Sequence, residues 1–309
     1  MMSHEKSKLD PISLEIIANG LRSIADECFI ALMRSAYSTN IKERRDHSIA
    51  IIDASGRLVV QAVEALPIHI ASMSGLIRCL MEKYGNDIED GDLFVANDPH
   101  TAGGTHLPDI NYAMPIIVEG ELVAFLCNIA HHADVGGMAP GSMAGGMTEI
   151  HQEGLRIPVI KLFRRGEMQT DIMDLLLLNV RVPEERRGDH NAQIASCRLG
   201  VRRFHEVVAT HGLSRVIEAF DGIIDRTRQR MRSAIAKIPD GTYRFEDVMD
   251  GDGVDTYDIP IKLALTVSGD GAKFDFTGSS PQVTGNINVT MNATEASVCY
   301  ALKAVLDPD

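Results

Sequence analysis

Cations are the scarcer charge in this chain: 30 Lys and Arg stand against 43 Asp and Glu over 309 residues, a formal net charge of -13. Nonspecific attraction to a phosphate backbone needs clustered Lys and Arg that release counterions, so nucleic acid is excluded as an expected partner. Long apolar runs are also lacking. No stretch of about 18 apolar residues occurs, and Met1 to Lys8 is polar and charged, so neither a membrane span nor an export signal is expected. The five cysteines (Cys28, Cys79, Cys127, Cys197, Cys299) are odd in number, widely spaced and never in a CxxC. They read as small hydrophobes, mostly inside apolar patterns, and fit a reducing cytoplasm. No GxxxxGK[ST], no GxGxxG between a strand and a helix and no GxSxG elbow is present, so the chain offers no nucleotide motif or serine nucleophile of its own.

What is present is enough apolar material, 45% of residues, to fill one large domain or two ordinary ones. Asp10-Pro11 followed by Leu14, Ile17, Leu21, Ile24, Cys28 and Leu32 predicts a long helix to about Tyr37. Ile49 to Ile52 and Leu58 to Val60 flank Ala54-Ser55-Gly56 as hairpin strands flank a turn. Pro67 opens a helix carrying Ile70, Met73, Ile77, Leu80 and Tyr84 on one face, closed by Gly85. A short strand at Leu93 to Ala96 precedes a second hairpin, Ala113 to Val118 and Leu122 to Ile129 around Glu119-Gly120. After Ile157-Pro158 come a short strand and turn and a helix near Asp171 to Leu178. Glu184-Glu185-Arg186-Arg187 reads as a charged connector, followed by an antiparallel helical pair within residues 184-238. From Tyr243 the pattern alternates, with strands near 243-249, 258-267 and 272-276, and Ala293 to Leu306 reads as a helix. The expectation is an α+β fold, with long helices on hairpin-built mixed or antiparallel sheets. Residues 1-240 would form the site-bearing domain, and 241-309 a second, β-rich region with a terminal helix.

The chemistry concentrates in residues 97-136, which hold four of the eleven histidines and three aspartates on Gly/Pro-rich loops beside apolar runs. His106 and Asp109 stand three apart, and His131 lies twenty-two beyond Asp109. Two imidazoles and a carboxylate suit a borderline ion such as Mn, Zn or Fe(II). On spacing alone each histidine can equally be an ordinary hydrogen-bonded residue. His100, His132 and Asp134 are candidates to orient the ligands or act as a general base, although Asp134 can instead cap the glycine turn that follows. Asp46 reads more readily as a partner of Arg44 or Arg45, and His69 as a satisfied structural histidine. Gln152-Glu153-Gly154, after a glycine-rich loop over 136-148, can supply polar substrate contacts or simply a turn. That loop is only a weak phosphate-cradle signal.

Taken in order, Asn40-Ile41-Lys42-Glu43-Arg44-Arg45-Asp46, Asn97-Asp98-Pro99, Gly103-Gly104-Thr105-His106-Leu107-Pro108-Asp109, Ala130-His131-His132-Ala133-Asp134-Val135-Gly136-Gly137, Gln152-Glu153-Gly154-Leu155-Arg156-Ile157-Pro158 and Pro183-Glu184-Glu185-Arg186-Arg187-Gly188-Asp189 closely resemble the hydantoinase B / oxoprolinase family. The resemblance runs over essentially the whole chain. It implies that His106, Asp109 and His131 carry a divalent metal, with Asp46 as a fourth ligand; on chemical grounds His132 or Asp134 is then the candidate to move a proton. It further implies a hetero-oligomer in which an ATPase A subunit phosphorylates a small cyclic amide (a hydantoin, 5-oxoproline or other lactam) and this subunit completes the hydrolysis. Handling of ATP by another chain agrees with the missing nucleotide motifs. The family also includes subunits of acetone and acetophenone carboxylases, so a ketone carboxylase subunit is the alternative activity and a non-catalytic scaffold remnant the alternative role. Family members usually continue well beyond Asp309, which implies either a remainder on a separate polypeptide or a truncated product.

Overall fold

The computed structural model describes residues 9-308, apart from the side chain of Ile70. Met1 to Lys8, read above as carrying no export signal, lies outside the described residues, as does the placement of Ile70 on its helix face. In chain order the elements are α1 (Pro11–Ser35), α2 (Thr39–Lys42), β1 (His47–Asp53), β2 (Leu58–Gln61), α3 (His69–Tyr84), β3 (Leu93–Ala96), β4 (Asp109–Val118), β5 (Glu121–His131) and α4 (Ile150–Glu153). Then come β6 (Ile160–Arg164), β7 (Glu167–Met168), α5 (Thr170–Leu178), α6 (Pro183–His211), α7 (Leu213–Ile235), β8 (Gly241–Gly251), β9 (Tyr257–Ser268), β10 (Gly271–Asp275) and α8 (Met291–Leu306). This is an α+β arrangement. A seven-stranded antiparallel sheet has the order β2-β1-β5-β4-β3-β6-β7, and a separate three-stranded sheet the order β10-β9-β8.

The larger sheet is covered on both faces, and strand alternation decides which residue meets which cover. On one face Ala50, Ile52, Ala113, Phe125, Cys127 and Ile129 pack against Met73, Leu76, Ile77 and Leu80 of α3. On the other, Ile49, Ile51, Ile110, Tyr112, Leu126 and Ala130 join Leu21, Cys28, Leu32, Cys197 and Phe204 of α1 and α6 in the larger core. Each Leu, Ile, Phe or Met side chain among them contributes about 1.5–3 kcal/mol when fully buried. α8 returns to lie against α3.

Local signals account for most ends. The Asp10 carboxylate accepts from the Ile12 and Ser13 N–H groups, with Pro11 in the first turn of α1. α1 stops at Ser35, two residues before the expected Tyr37, because the N–H groups of Tyr37 and Ser38 donate to Asp189 instead (2.8 and 3.0 Å). The same contact corrects the reading of Glu184 to Arg187 as a connector. These residues form the first turns of α6, begun by Pro183, and Arg186 and Asp189 are buried in mutual contact (3.2 Å). Charged side chains that are paired and hydrogen-bonded can be buried, which a reading of charge as solvent-facing misses. α6 runs along α1 and meets α7 through a Phe204–Phe220 contact after Gly212. Among the cysteines, Cys28, Cys127 and Cys197 are buried, Cys79 is half-buried and Cys299 is exposed. Among the described residues, no helix is long and apolar enough to cross a membrane.

Candidate metal centre

The second hairpin is longer than its apolar pattern suggested, and the extra residues are the chemical ones. Asp109 is the first residue of β4, His131 is the last of β5, and they are direct cross-strand partners at the open end of the hairpin. β1 lies beside β5 with His47 opposite Ala130. The His131 N–H donates to the Asp46 carbonyl (3.0 Å), which brings Asp46 to the same sheet end. Alternation puts Asp46, Asp109 and His131 on the α3 face, where the first residue of α3 is His69.

His106 arrives on the loop before β4, whose shape is set by glycine and by Asn97-Asp98. At Gly103 (φ +72°) a Cβ would stand 2.3 Å from the Gly75 carbonyl carbon, so the loop lies directly on the backbone of α3. Asn97 Nδ2 donates to the carbonyls of Leu107 (2.8 Å) and Leu155 (2.9 Å), and its Oδ1 accepts from the Ile157 N–H (2.6 Å). Asp98 Oδ1 accepts from the N–H groups of His100 and Thr101, and Oδ2 takes Arg156 Nε (2.6 Å). Burial works against the Asp98 charge, but the Arg156 guanidinium and the Thr101 donors hold its carboxyl down at about 2.

Asp109 is the centre of the resulting cluster. Its Oδ1 lies 3.1 Å from His106 Nε2 and 3.3 Å from His131 Nδ1, and its Oδ2 lies 3.6 Å from His69 Nε2 and accepts from the Thr105 hydroxyl. Asp46 Oδ2 is 3.9 Å from His131 Nδ1, and Asp46 Oδ1 is 3.8 Å from His69 Nε2. His106, Asp109 and His131 therefore present nitrogen and oxygen atoms within 4.8 Å of one another, and so do Asp46, His69 and Asp109. Burial opposes the Asp109 charge, but His106, His131 and His69 hold the carboxyl well below the usual carboxylate range. Burial also opposes a charge on His106, yet the neighbouring Asp109 and Asp46 carboxylates raise its pKa.

The residues fit a divalent cation. Donors bound at about 2.1 Å to one tetrahedral ion stand about 3.4 Å apart, close to the spacings around Asp109 Oδ1. That oxygen is buried and has no well-aligned hydrogen bond, although two imidazole nitrogens face it. A buried acceptor without a donor is costly, and a cation held there would satisfy it. Two imidazoles with carboxylates suit Mn, Zn or Fe(II) rather than a purely oxygen-seeking ion.

The other candidates lie elsewhere. His132 follows His131 on the extended chain and points to the opposite face, where its Nε2 meets Gln193 Oε1 (2.8 Å) and its ring packs on His190 (4.5 Å). Burial pushes its pKa down to about 4. Asp134 accepts from the N–H groups of Gly136, Gly141 and Arg181 and from the Arg181 guanidinium, so it fastens the glycine loop. Those donors outweigh burial and lower its pKa. Neither side chain joins the cluster at which one of them was expected to move a proton. His100 is exposed. Arg45 pairs with Glu64, which leaves Asp46 free to turn toward His69 and His131, contrary to the surface pairing expected for it. His69, at the start of its helix and expected to be structural more than pocket-facing, also faces the cluster. Strand parity from His131 back to Asp46, two residues before Ser48, was a usable signal for the aspartate; nothing local marked His69. Gln152 is spent on the capping box of α4. The half-buried Glu153 carboxyl is raised by burial, with the charges of His106 and His100 opposing. A concavity of about 580 Å³, lined by Phe163, Ile194 and Arg198 among others, lies along α6 and involves none of the cluster residues.

The family model described as Hydantoinase B/oxoprolinase matches residues 10–309. The chain belongs to that family. An uncharacterized protein of Methanocaldococcus jannaschii is 38% identical over 97% of this chain and 53% of its own length. 5-Oxoprolinase 1 of Arabidopsis thaliana is 32% identical over 97% of this chain and 25% of its own. The crystal structure of the ATP-dependent caprolactamase from Pseudomonas jessenii superposes with a TM-score of 0.90 at 29% identity, covering 96% of this chain and 51% of that one. This chain is thus matched almost end to end by members of the hydantoinase B/oxoprolinase family and spans about half their length or less.

Proposed function

We propose that this chain is the metal-bearing part of the B subunit of an ATP-dependent cyclic-amide hydrolase, working on a substrate whose amide oxygen a separate ATPase subunit has phosphorylated. The observation that carries this reading is the gathering of Asp46, His106, Asp109 and His131 at one sheet end, in a chain whose relatives include enzymes named for 5-oxoproline and caprolactam. Amide resonance makes a ring carbonyl a poor electrophile, and O-phosphorylation removes that resonance and provides a leaving group. A bound Mn, Zn or Fe(II) ion supplies Lewis acidity and lowers the pKa of water.

The chain's own residues do the rest. His106, Asp109, His131 and Asp46 hold the ion, and Thr105 turns Asp109 so that Oδ1 faces the two imidazoles. The half-buried Glu153, its carboxyl raised by burial, lies within electrostatic influence of His106. Residues 1-240 form the metal-bearing unit in this reading.

The test is elemental analysis of the purified chain and of His106→Ala, followed by assay with an ATPase subunit against hydantoin, 5-oxoproline and caprolactam. About one ion per parent chain, lost in the variant, with ring opening only in the presence of ATP, is expected. Incorporation of labelled bicarbonate into acetone or acetophenone, without amide hydrolysis, would replace this reading with the ketone carboxylase. No ion after reconstitution with Mn or Zn would leave a scaffold.

A further inference from the structure

The two carboxylates of the cluster are oriented alike. Each turns one oxygen toward His69 and the other toward the His106 and His131 side: Asp109 by Oδ2 and Oδ1, Asp46 by Oδ1 and Oδ2. The role of His69 depends on which of its nitrogens carries hydrogen, because an N–H can donate to a carboxylate but cannot ligate a cation. Its side chain is 2% exposed, and Nδ1 lies 2.9 Å from Ser48 Oγ.

Ser48 decides the matter. It is fully buried on β1, two residues from Asp46 and on the same face. The Leu66 N–H already donates to its oxygen (2.8 Å). The hydroxyl hydrogen then has, among the described residues, one acceptor in hydrogen-bond contact, Nδ1 of His69. Leaving a buried hydroxyl without an acceptor would be unfavourable, whereas the chain Leu66 N–H to Ser48 Oγ–H to His69 Nδ1 satisfies every group in it. Nδ1 is an acceptor in that chain, so Nε2 bears the hydrogen and points between Asp46 and Asp109.

We infer that His69 is a positioning residue: held by Ser48 in its Nε2–H form, it directs that N–H between the outer oxygens of Asp46 (3.8 Å) and Asp109 (3.6 Å) and so favours the presentation of their inner oxygens to the cation. This rests on the metal-site reading above and extends it. His69 then shares Asp109 Oδ2 with the Thr105 hydroxyl, and Oδ1 is left as the ligand oxygen. Outer partners of this kind typically govern metal affinity by 10- to 100-fold. The competing role is a ligand, either to the same ion or to a second one within the Asp46, His69 and Asp109 group.

The experiment uses the full chain with zinc as probe. Nitrogen-15 NMR of the imidazoles, with His69 assigned by its loss in His69→Gln, should show hydrogen on Nε2 both without zinc and with it. Chelator competition should give one ion in the parent and still one in His69→Ala, bound about 10- to 100-fold more weakly. His69→Gln, which can place an N–H at similar reach, should recover most of that loss. Metal-free His69→Ala should unfold at a lower temperature than the parent, because Ser48 loses its acceptor, so zinc affinities are compared at a temperature well below both transitions. Hydrogen on Nδ1 in the zinc-loaded chain would overturn the proposal. So would two ions in the parent and one in His69→Ala, which would make His69 a ligand of a second cation. A parent that takes no zinc would defeat the metal reading alone, while the NMR of the metal-free chain would still judge the His69 assignment.

Discussion

Acid should unfold this protein through its buried histidines, and His47 is the cleanest case. It is fully buried, its ring is stacked on Phe29 (4.0 Å, 24°), and Nε2 donates to the Phe29 carbonyl (3.1 Å) while Nδ1 has no hydrogen-bond partner among the described residues. Burial pushes its pKa from 6.5 down to about 4. Below pH 6.5 the unfolded chain takes a proton that the folded chain refuses until about pH 4, so the unfolded state gains. The contribution is complete above pH 6.5 and disappears as the pH falls to about 4. Each pH unit in that window removes about 1.4 kcal/mol, about 3 kcal/mol in all. His132, also lowered to about 4 by burial, adds a comparable loss over the same window. The two together, about 6 kcal/mol, reach the low end of the stability of an ordinary domain, about 5–15 kcal/mol. Urea unfolding of the parent and His47→Gln from pH 7 to 4.5 tests this. Gln keeps an N–H for the Phe29 carbonyl but has no proton to gain, so its stability should fall less steeply by about 1.4 kcal/mol per unit. Parallel slopes in the two proteins would refute the reasoning.

Gly103→Ala places a Cβ against the Gly75 backbone at a positive φ, and should cost about 2 kcal/mol or more and weaken zinc binding through the displaced His106 loop; calorimetry and chelator competition would show both. Arg156→Ala should remove the partner of buried Asp98 and lower stability by about 1–3 kcal/mol, with the loss largest near neutral pH and shrinking as Asp98 becomes protonated below its ordinary value of 3.8. Asp134→Asn should destabilise the glycine loop by about 1–3 kcal/mol in urea unfolding and leave metal content unchanged, because Asp134 serves Arg181 and backbone N–H groups rather than the cluster. Loss of metal in Asp134→Asn would restore it to the centre.

Which residues carry helices and strands is largely legible in the amino-acid pattern. Periodicity sets α1, α3 and α7, and turn residues set the two hairpins, because those signals are local. The ends mislead where a polar side chain takes over a backbone bond. Asp189 stops α1 by accepting from Tyr37 and Ser38, and its own burial makes a charged stretch look like a connector. His106, Asp109 and His131 stand out by residue type and loop context, but their meeting follows from the pairing of Asp109 with His131, a long-range register.

The sequence by itself determined the α+β composition, the family and the histidine-aspartate chemistry, since patterning and residue type are written along one dimension. Only the tertiary structure decided that His131 and His132 face opposite sides of a sheet, that Asp134 belongs to a loop clasp, and that His69 stands between two carboxylates. Those outcomes depend on which strands pair, on competition for hydrogen bonds and on the packing of α3 over the sheet, which the local pattern leaves open.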